Sequence, residues 1–529
     1  MKNTLAIAAL LTATSLQAQT LQDGLTAYEN DKLVRATAIF TQLVQAQPKN
    51  PELYYQLANV YATREIMDSA SMMYDKAFKI MPITAYGYLA DARNYLNANA
   101  KTDANKATAL ASAKLSIDKA IALGKEKDVK TLHEAAYVYI KGNVKNTTAA
   151  LEIANKALLL DKKNADSYML LGDIYTVIND GGLAAKNYDY AATFSPANPR
   201  PYQRMGVLYT QARNFSVSQE NFNTALSKDA NFAPAYRDLG DLYYKGKKYE
   251  KAKETYKKYL ELSEPNTVTL TKYAYILFLK KDYQEATEVV NQVQHLDSSN
   301  IILKRLLGYS YCEQNKPKEG LASMQAFMNK IEPSRIIVED YEYLAKLNFK
   351  NNKDSLAVDN YKKALAMDTS KTNLYYDLGD TYYHWKKWLP AADAYSMKIA
   401  KSKSITAADY FGLGRSLYFG KKYSGADSAF IKLLDLKPDY ALGHLYRGKC
   451  NSLMNEKNPD VAKPFYDKYL ELAANDPKAN KRDLSEAYSF LGYYSIQKND
   501  NAKAKEFYTK VLSVDPENKQ AKDIVGKLK

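Results

Sequence analysis

The sequence predicts an all-α protein built as a solenoid of stacked helical hairpins, and three observations carry that expectation. A spacing of 34 residues runs through the centre of the chain: Gly172, Gly206, Gly240 and Gly308 fall on it, with Ala274 in the remaining slot. Tyrosines keep the same step on both sides, Tyr168, Tyr202 and Tyr236 four residues before and Tyr175, Tyr209, Tyr243 and Tyr311 three residues after. Within each period the apolar residues recur at i, i+3, i+4 and i+7, the spacing of one helix face. A hairpin of two short helices cannot bury such faces alone, so neighbouring units must stack.

Residues 1–18 read as a secretory signal peptide. Lys2 precedes a short apolar run from Leu5 to Leu16, and Ala18 is a small residue at the cleavage point. The run is too short for a stable membrane span. N-terminal repeat units are expected over 19–84. At 51–84, Tyr54, Leu57, Ala58 and Tyr61 make a first face, Ala70, Tyr74 and Ala77 a second, and Pro82 closes the unit. The stretch 85–164 is divergent, with longer segments and no closing proline, yet Ala113, Ile117 and Ala120, then Ala150, Ala154 and Ala157, still read as second helices. The regular array covers 165–518.

Its clearest unit is 165–198. Tyr168, Leu171, Gly172 and Tyr175 form one helix face; Asp180-Gly181-Gly182 turns the chain; Ala184, Tyr188 and Ala191 form the return face; Pro196 ends it. Gly172 and Ala184 are expected to be small so that two antiparallel helices approach closely, and Tyr168 and Tyr188 large to fill the wedge between one hairpin and the next. The same pattern recurs at 233–266, 372–405 and near Leu491, Gly492, Ala504 and Tyr508. The unit at 441–475 is two residues longer, and 474–486 reads as a long polar loop. A polar segment at 519–529, apolar only at Ile524 and Val525, is expected to be a helix that caps the open end.

This grammar resembles the tetratricopeptide repeat family, whose unit is a 34-residue helix–turn–helix. The resemblance covers about residues 21–518, in about fourteen units, and rests on small residues in register at Gly24, Ala58, Gly172, Gly206, Gly240, Ala274, Gly308, Ala345, Gly379, Gly414, Gly448 and Gly492. It implies a right-handed α-solenoid that works by presenting a surface to protein or peptide partners.

Composition agrees. Glycine and proline are sparse, and most of the 46 tyrosines follow from the repeat positions. The formal net charge is +15 and lysine supplies most of it, which suits either a solvated exterior or an anionic partner such as an envelope glycan or peptidoglycan. Export argues against nucleic acid. The leader suggests a Gram-negative bacterium, hence the periplasm first and the outer surface second. No other apolar run is long enough to span a bilayer, so no membrane insertion is expected once the leader is removed. The two cysteines, Cys312 and Cys450, lie four units apart, too far for a disulfide.

No residues announce chemistry. His133, His295, His384 and His444 sit in separate repeats without metal-ligand spacing, Gly414 to Lys421 lacks the spacing of a phosphate loop, and no nucleophile elbow occurs. Glu339 and Asp340 are adjacent and therefore diverge on a helix. The expectation is no catalysis, no metal and no cofactor.

In the family, the concave groove is lined from the first helix, about one and four residues past the small position. The later position reads Tyr244, Phe278, Cys312, Phe349, Tyr383 and Tyr418, and beside it lie Tyr275, Tyr309, Arg237 and Arg305. This stripe is either a semi-apolar groove for an extended peptide or partner helix, or packing between neighbouring first helices. The earlier position reads Asn59, Asp173, Val207, Asp241, Tyr275, Tyr309, Lys346, Asp380, Arg415, Lys449 and Tyr493, which lacks the Lys/Asn pattern of a carboxylate clamp. The expected function is a non-catalytic interaction scaffold of the bacterial cell envelope.

Overall fold

Within each unit, successive helices pair into antiparallel hairpins. The computed structural model describes residues 19–97, 102–298 and 300–528; the expected signal peptide lies outside them. They form an all-α repeat solenoid with, among the described residues, twenty-nine α-helices and no strand. Contacts divide it into two units, Met1–Val289 and Val290–Lys529.

In the first unit the hairpins are Leu21–Glu29 with Leu33–Ala46, Pro51–Thr63 with Met67–Ile80, Ala85–Asn97 with Asp103–Leu123, and Val129–Lys141 with Thr147–Leu160. Ala165–Ile178 with Gly181–Phe194, Pro199–Gln211 with Phe215–Lys228, and Ala233–Lys245 with Tyr249–Leu262 follow, then Thr267–Lys280 and its returning helix Tyr283–Leu296, within which the division falls. The second unit holds Ile302–Glu313 with Pro317–Met328, Val338–Lys350 with Asp354–Met367, Asn373–His384 with Trp388–Lys401, and Ala407–Phe419 with Tyr423–Leu436. Ala441–Met454 with Lys463–Ala473 and Lys481–Gln497 with Asn501–Val514 complete it, before a last helix, Lys519–Lys527.

In most hairpins the small residue of the first helix faces an aromatic ring sixteen residues further on, while Gly308 faces Met324 instead. A Cβ on Gly172 would stand 2.4 Å from a ring carbon of Tyr188, one on Gly206 2.5 Å from Phe222, and one on Gly240 2.5 Å from Tyr256. The glycine therefore makes room for a ring rather than for a helix backbone. The ring sits inside the hairpin and not, as the spacing suggested, in the wedge between hairpins. Tyr188 is fully buried, whereas Tyr168 is half-buried and stacks on Phe194 at 5.4 Å. Gly448 meets Tyr466, two residues later than the rule, because a 3-10 turn at Pro459–Val461 inserts the extra residues.

A buried phenol needs an acceptor, and the residue after the small position supplies one. Tyr74 donates to Asn59 at 2.7 Å, Tyr188 to Asp173 at 2.8 Å and Tyr395 to Asp380 at 2.5 Å, and Tyr256 donates to Asp241. The recurrence of Asp-Leu-Gly-Asp is thus a packing motif: glycine admits the ring and aspartate takes its hydroxyl.

Each regular hairpin turns through one residue in the left-handed region, among them Asp31, Asn179, Lys247, Lys386 and Lys421, with φ of 56° to 72° across the regular turns. The following amide bonds back across the helix end, as Lys248 does to the Tyr243 carbonyl at 2.8 Å. At Gly246-Lys247 and Gly420-Lys421 the lysine, not the glycine, takes that conformation.

The divergent stretch keeps the expected second-helix faces: Ala113, Ile117, Ala120, Ala150, Ala154 and Ala157 are all fully buried. Its irregularity has a local cause. The segment after Lys141 folds back, with the Val144 amide on the Leu96 carbonyl at 3.0 Å, and buried Arg93 ties Tyr74 to the Val138 carbonyl. The loop expected over 474–486 is shorter, because Asn480 caps a helix that begins at Lys481, its side chain accepting from the Arg482 amide at 2.9 Å.

Candidate functional site

The stripe one turn past the small residues is occupied by its own hairpins. Tyr244, Phe278, Tyr383 and Tyr418 are half-buried. Each rests on the aromatic five residues later, the first residue of the returning helix: Tyr249 at 6.4 Å, Tyr283 at 5.5 Å, Trp388 at 5.1 Å and Tyr423 at 5.8 Å between ring centroids. Phe349 meets His384 of the next hairpin at 5.2 Å, and Tyr275 is half-buried. Arg305 and Tyr309 do come together, on Asp340. That carboxylate is wholly buried; it accepts from Arg305 Nε at 2.8 Å and the Tyr309 hydroxyl at 2.7 Å. Tyr309, also stacked on Tyr343 at 4.0 Å, is therefore a joint between hairpins Ile302–Glu313 and Val338–Lys350 rather than an open groove wall. Cys312 and Cys450 are buried, free thiols; burial pushes their pKa up to about 11 and about 12.

Arg237 leads to a different place. A cavity of about 500 Å³ lies inside the first unit. First helices supply most of its wall: Gln56, Asn59 and Thr63; Lys130, His133, Glu134, Tyr137 and Lys141; Asp166 and Asp173; Arg200, Gln203 and Arg204; and Arg237. The N-terminal hairpin adds Tyr28, Glu29 and Asp31. Five cationic side chains (Lys130, Lys141, Arg200, Arg204, Arg237) face five carboxylates (Glu29, Asp31, Glu134, Asp166, Asp173).

Most of these charges hold one another. Asp173 accepts from Tyr188 and from Tyr137 at 3.2 Å, and Arg204 Nε stands 3.4 Å away; that carboxylate is the main reason the Arg204 pKa lies above its usual value. Burial works against the charge on Arg237, yet Asp238 and Asp31, at 2.9 and 2.5 Å, hold its pKa up. Burial also raises the pKa of Asp31 and lowers that of His133, whose Nε2 lies 2.7 Å from the Ser167 hydroxyl.

The N-terminal hairpin closes the chamber on one side. Arg200 reaches Glu29 at 2.9 Å, and the Glu264 carboxylate accepts from the amides of Val34 and Arg35, which open helix Leu33–Ala46. Helix-opening amides lack internal partners and carry partial positive charge, so they suit a carboxylate. The chamber positions missed in the sequence lie two and three residues before the small one, as Arg204 and Gln203 precede Gly206. Arginine on successive first helices of a lysine-rich chain was the available signal.

The second unit has a shallower recess of about 740 Å³ lined by Glu342, Lys346, Lys371, Tyr376, Asp377 and Lys398 among others. Burial raises the Asp377 pKa to about 6. Among the described residues no group of His, Cys, Asp and Glu could hold a metal ion, and no helix is long and apolar enough to cross a membrane.

Stacked helical hairpins with inward-facing first helices define a helical-repeat protein. The tetratricopeptide repeat model matches residues 233–266 and 485–518, two of these hairpins. Tetratricopeptide repeat protein 37 of Xenopus laevis is 27% identical over 137 residues, which is 26% of this chain and 8% of that protein's length. Among solved structures, the C-terminal part of a TPR repeat-containing protein from Cytophaga hutchinsonii is 29% identical, covering 48% of this chain and 99% of that one, at a TM-score of 0.43. A tetratricopeptide repeat protein from Parabacteroides merdae is 21% identical, covering 48% and 98%, at 0.32. Arrays of this kind are generally non-catalytic scaffolds whose concave surfaces bind proteins.

Proposed function

We propose that this chain is a protein–protein interaction scaffold of the bacterial cell envelope, exported by its leader and holding partner segments on the inward faces of its first helices. The observation that carries this reading is the chamber of the first unit, with its matched cations and carboxylates. A wall most of whose charges are already paired favours a ligand that exchanges partners ion for ion, such as an extended peptide with both acidic and basic side chains. A purely apolar ligand would leave those charges desolvated and unpaired. The half-buried stripe at Tyr244 and Phe278 then serves as a supporting layer for the first helices.

Site-specific photo-crosslinking in the exporting cell tests the proposal. A crosslinker at Gln203, inside the chamber, is expected to trap a discrete envelope protein, and the same group at Lys257, on a second helix, is not. Equal capture from both positions, or a protein retained in the cytoplasm with residues 1–18 intact, contradicts it.

A further inference from the structure

Two consecutive hairpin turns of the second unit present an unusual surface. At the first, Trp385 is 39% exposed and Leu389 43%; at the second, Phe419 is 41% exposed. The turns touch: Trp388 lies 5.1 Å from Phe419 between ring centroids, and Leu389 crowds Gly420 so closely that a Cβ there would stand 2.7 Å from it. Tyr383 backs Trp388 at 5.1 Å, so the apolar ridge is held from beneath. Beside it, Lys386 and Lys387 occupy the first turn and Lys421 and Lys422 the second, all exposed. The two turn sequences, 385–390 and 419–423, contain no acidic residue. The acid at the edge, Asp354, is engaged by His384 at 3.0 Å.

Exposed tryptophan and phenylalanine would suit a protein interface, but the four lysines beside them do not, because lysine is depleted there. The combination matches the boundary of an anionic bilayer. Aromatic rings settle at headgroup depth there, and lysines are drawn to the lipid charge. We infer that this double turn is a peripheral docking surface for an anionic lipid membrane, on which the protein lies without spanning it. Lys386 and Lys421 owe their place at the tip to the left-handed conformation of the turn, with φ of 57° and 61°. The surface belongs to the second unit and the chamber to the first, and its test does not depend on the partner proposed there.

The chain has two tryptophans, Trp385 and Trp388, and both belong to this surface, so intrinsic fluorescence reports on it directly. The mature protein is mixed with vesicles of phosphatidylcholine alone or with added phosphatidylglycerol, and cosedimentation and emission are read together. Binding is expected only to the anionic vesicles, with a blue shift of emission, quenching by brominated lipid and reversal by salt. Lys386→Gln with Lys387→Gln should weaken binding about 25-fold, roughly fivefold for each lysine. Trp385→Ser with Phe419→Ser should reduce binding to vesicles while circular dichroism is unchanged. Failure of the parent protein to bind anionic vesicles overturns the proposal, as does binding without a change in emission. Equal binding to soluble polyglutamate with the same emission shift overturns it too, and assigns the turns to a polyanion.

Discussion

Gly240→Ala puts the packing rule of the repeats to a sharp test, because propensity and packing predict opposite signs. In an exposed helix interior, alanine for glycine stabilises by about 1 kcal/mol. Here the new methyl would stand 2.5 Å from a ring carbon of Tyr256. That ring cannot easily retreat: it is fully buried, and its hydroxyl is bonded to Asp241. Overpacking of this kind costs about 1–3 kcal/mol. With the ring held at both ends the upper part of that range applies, leaving a net loss of about 1–2 kcal/mol. Gly182→Ala in the same unit is the control. Its Cβ would have nothing nearer than an Asp180 oxygen at 3.6 Å, so propensity acts alone and the change should be neutral or stabilising by up to about 1 kcal/mol. Combining Gly240→Ala with Tyr256→Leu should recover part of the loss, giving a coupling of at least about 0.5 kcal/mol. Repeat arrays need not unfold in one step, so the assay is urea unfolding together with amide exchange resolved to the hairpin Ala233–Lys245/Tyr249–Leu262. A Gly240→Ala protein as stable as its parent, with no coupling to position 256, would refute the reasoning.

Three further outcomes follow from the structure. Asp377→Asn should stabilise the second unit above pH 6 and leave it unchanged below about pH 4. The native carboxyl binds its proton more tightly than the unfolded one, so its contribution is present at low pH and lost as pH rises through about 6; the difference is at most about 3 kcal/mol. Unfolding curves at the two pH values measure it. Arg237→Gln should loosen the closure of the chamber by about 1 kcal/mol, the pair with Asp31 being partly exposed. Amide exchange should then quicken within Leu21–Ala46 and not in Asn501–Val514; unchanged exchange in the first segment argues against a closing role. Cys312 and Cys450 should react with a thiol reagent at neutral pH only as the second unit opens, because burial keeps both protonated. Rapid labelling of the native protein would contradict the burial.

The features legible in the sequence are those that one hairpin settles within its own span. Gly206 and Phe222, or Gly492 and Tyr508, are sixteen residues apart, and a glycine facing a ring across a single helical turnaround leaves a period that recurs wherever the hairpin recurs. The two-residue insertion at 441–475 was visible for the same reason. Even locally, the spacing put the Tyr188 ring in the wedge between hairpins, whereas its position inside its own hairpin depends on the acceptor Asp173 offers. It also left open whether the stripe at Tyr244 or Tyr383 faced solvent, because that is decided by the partner ring across the turn. The closure of the chamber was beyond the sequence, which showed only the arginines of successive first helices. Asp31 and Arg237 are 206 residues apart, and Val34 and Glu264 are 230 apart. What brings them together is the sum of small rotations from one hairpin to the next, and no single repeat encodes that sum.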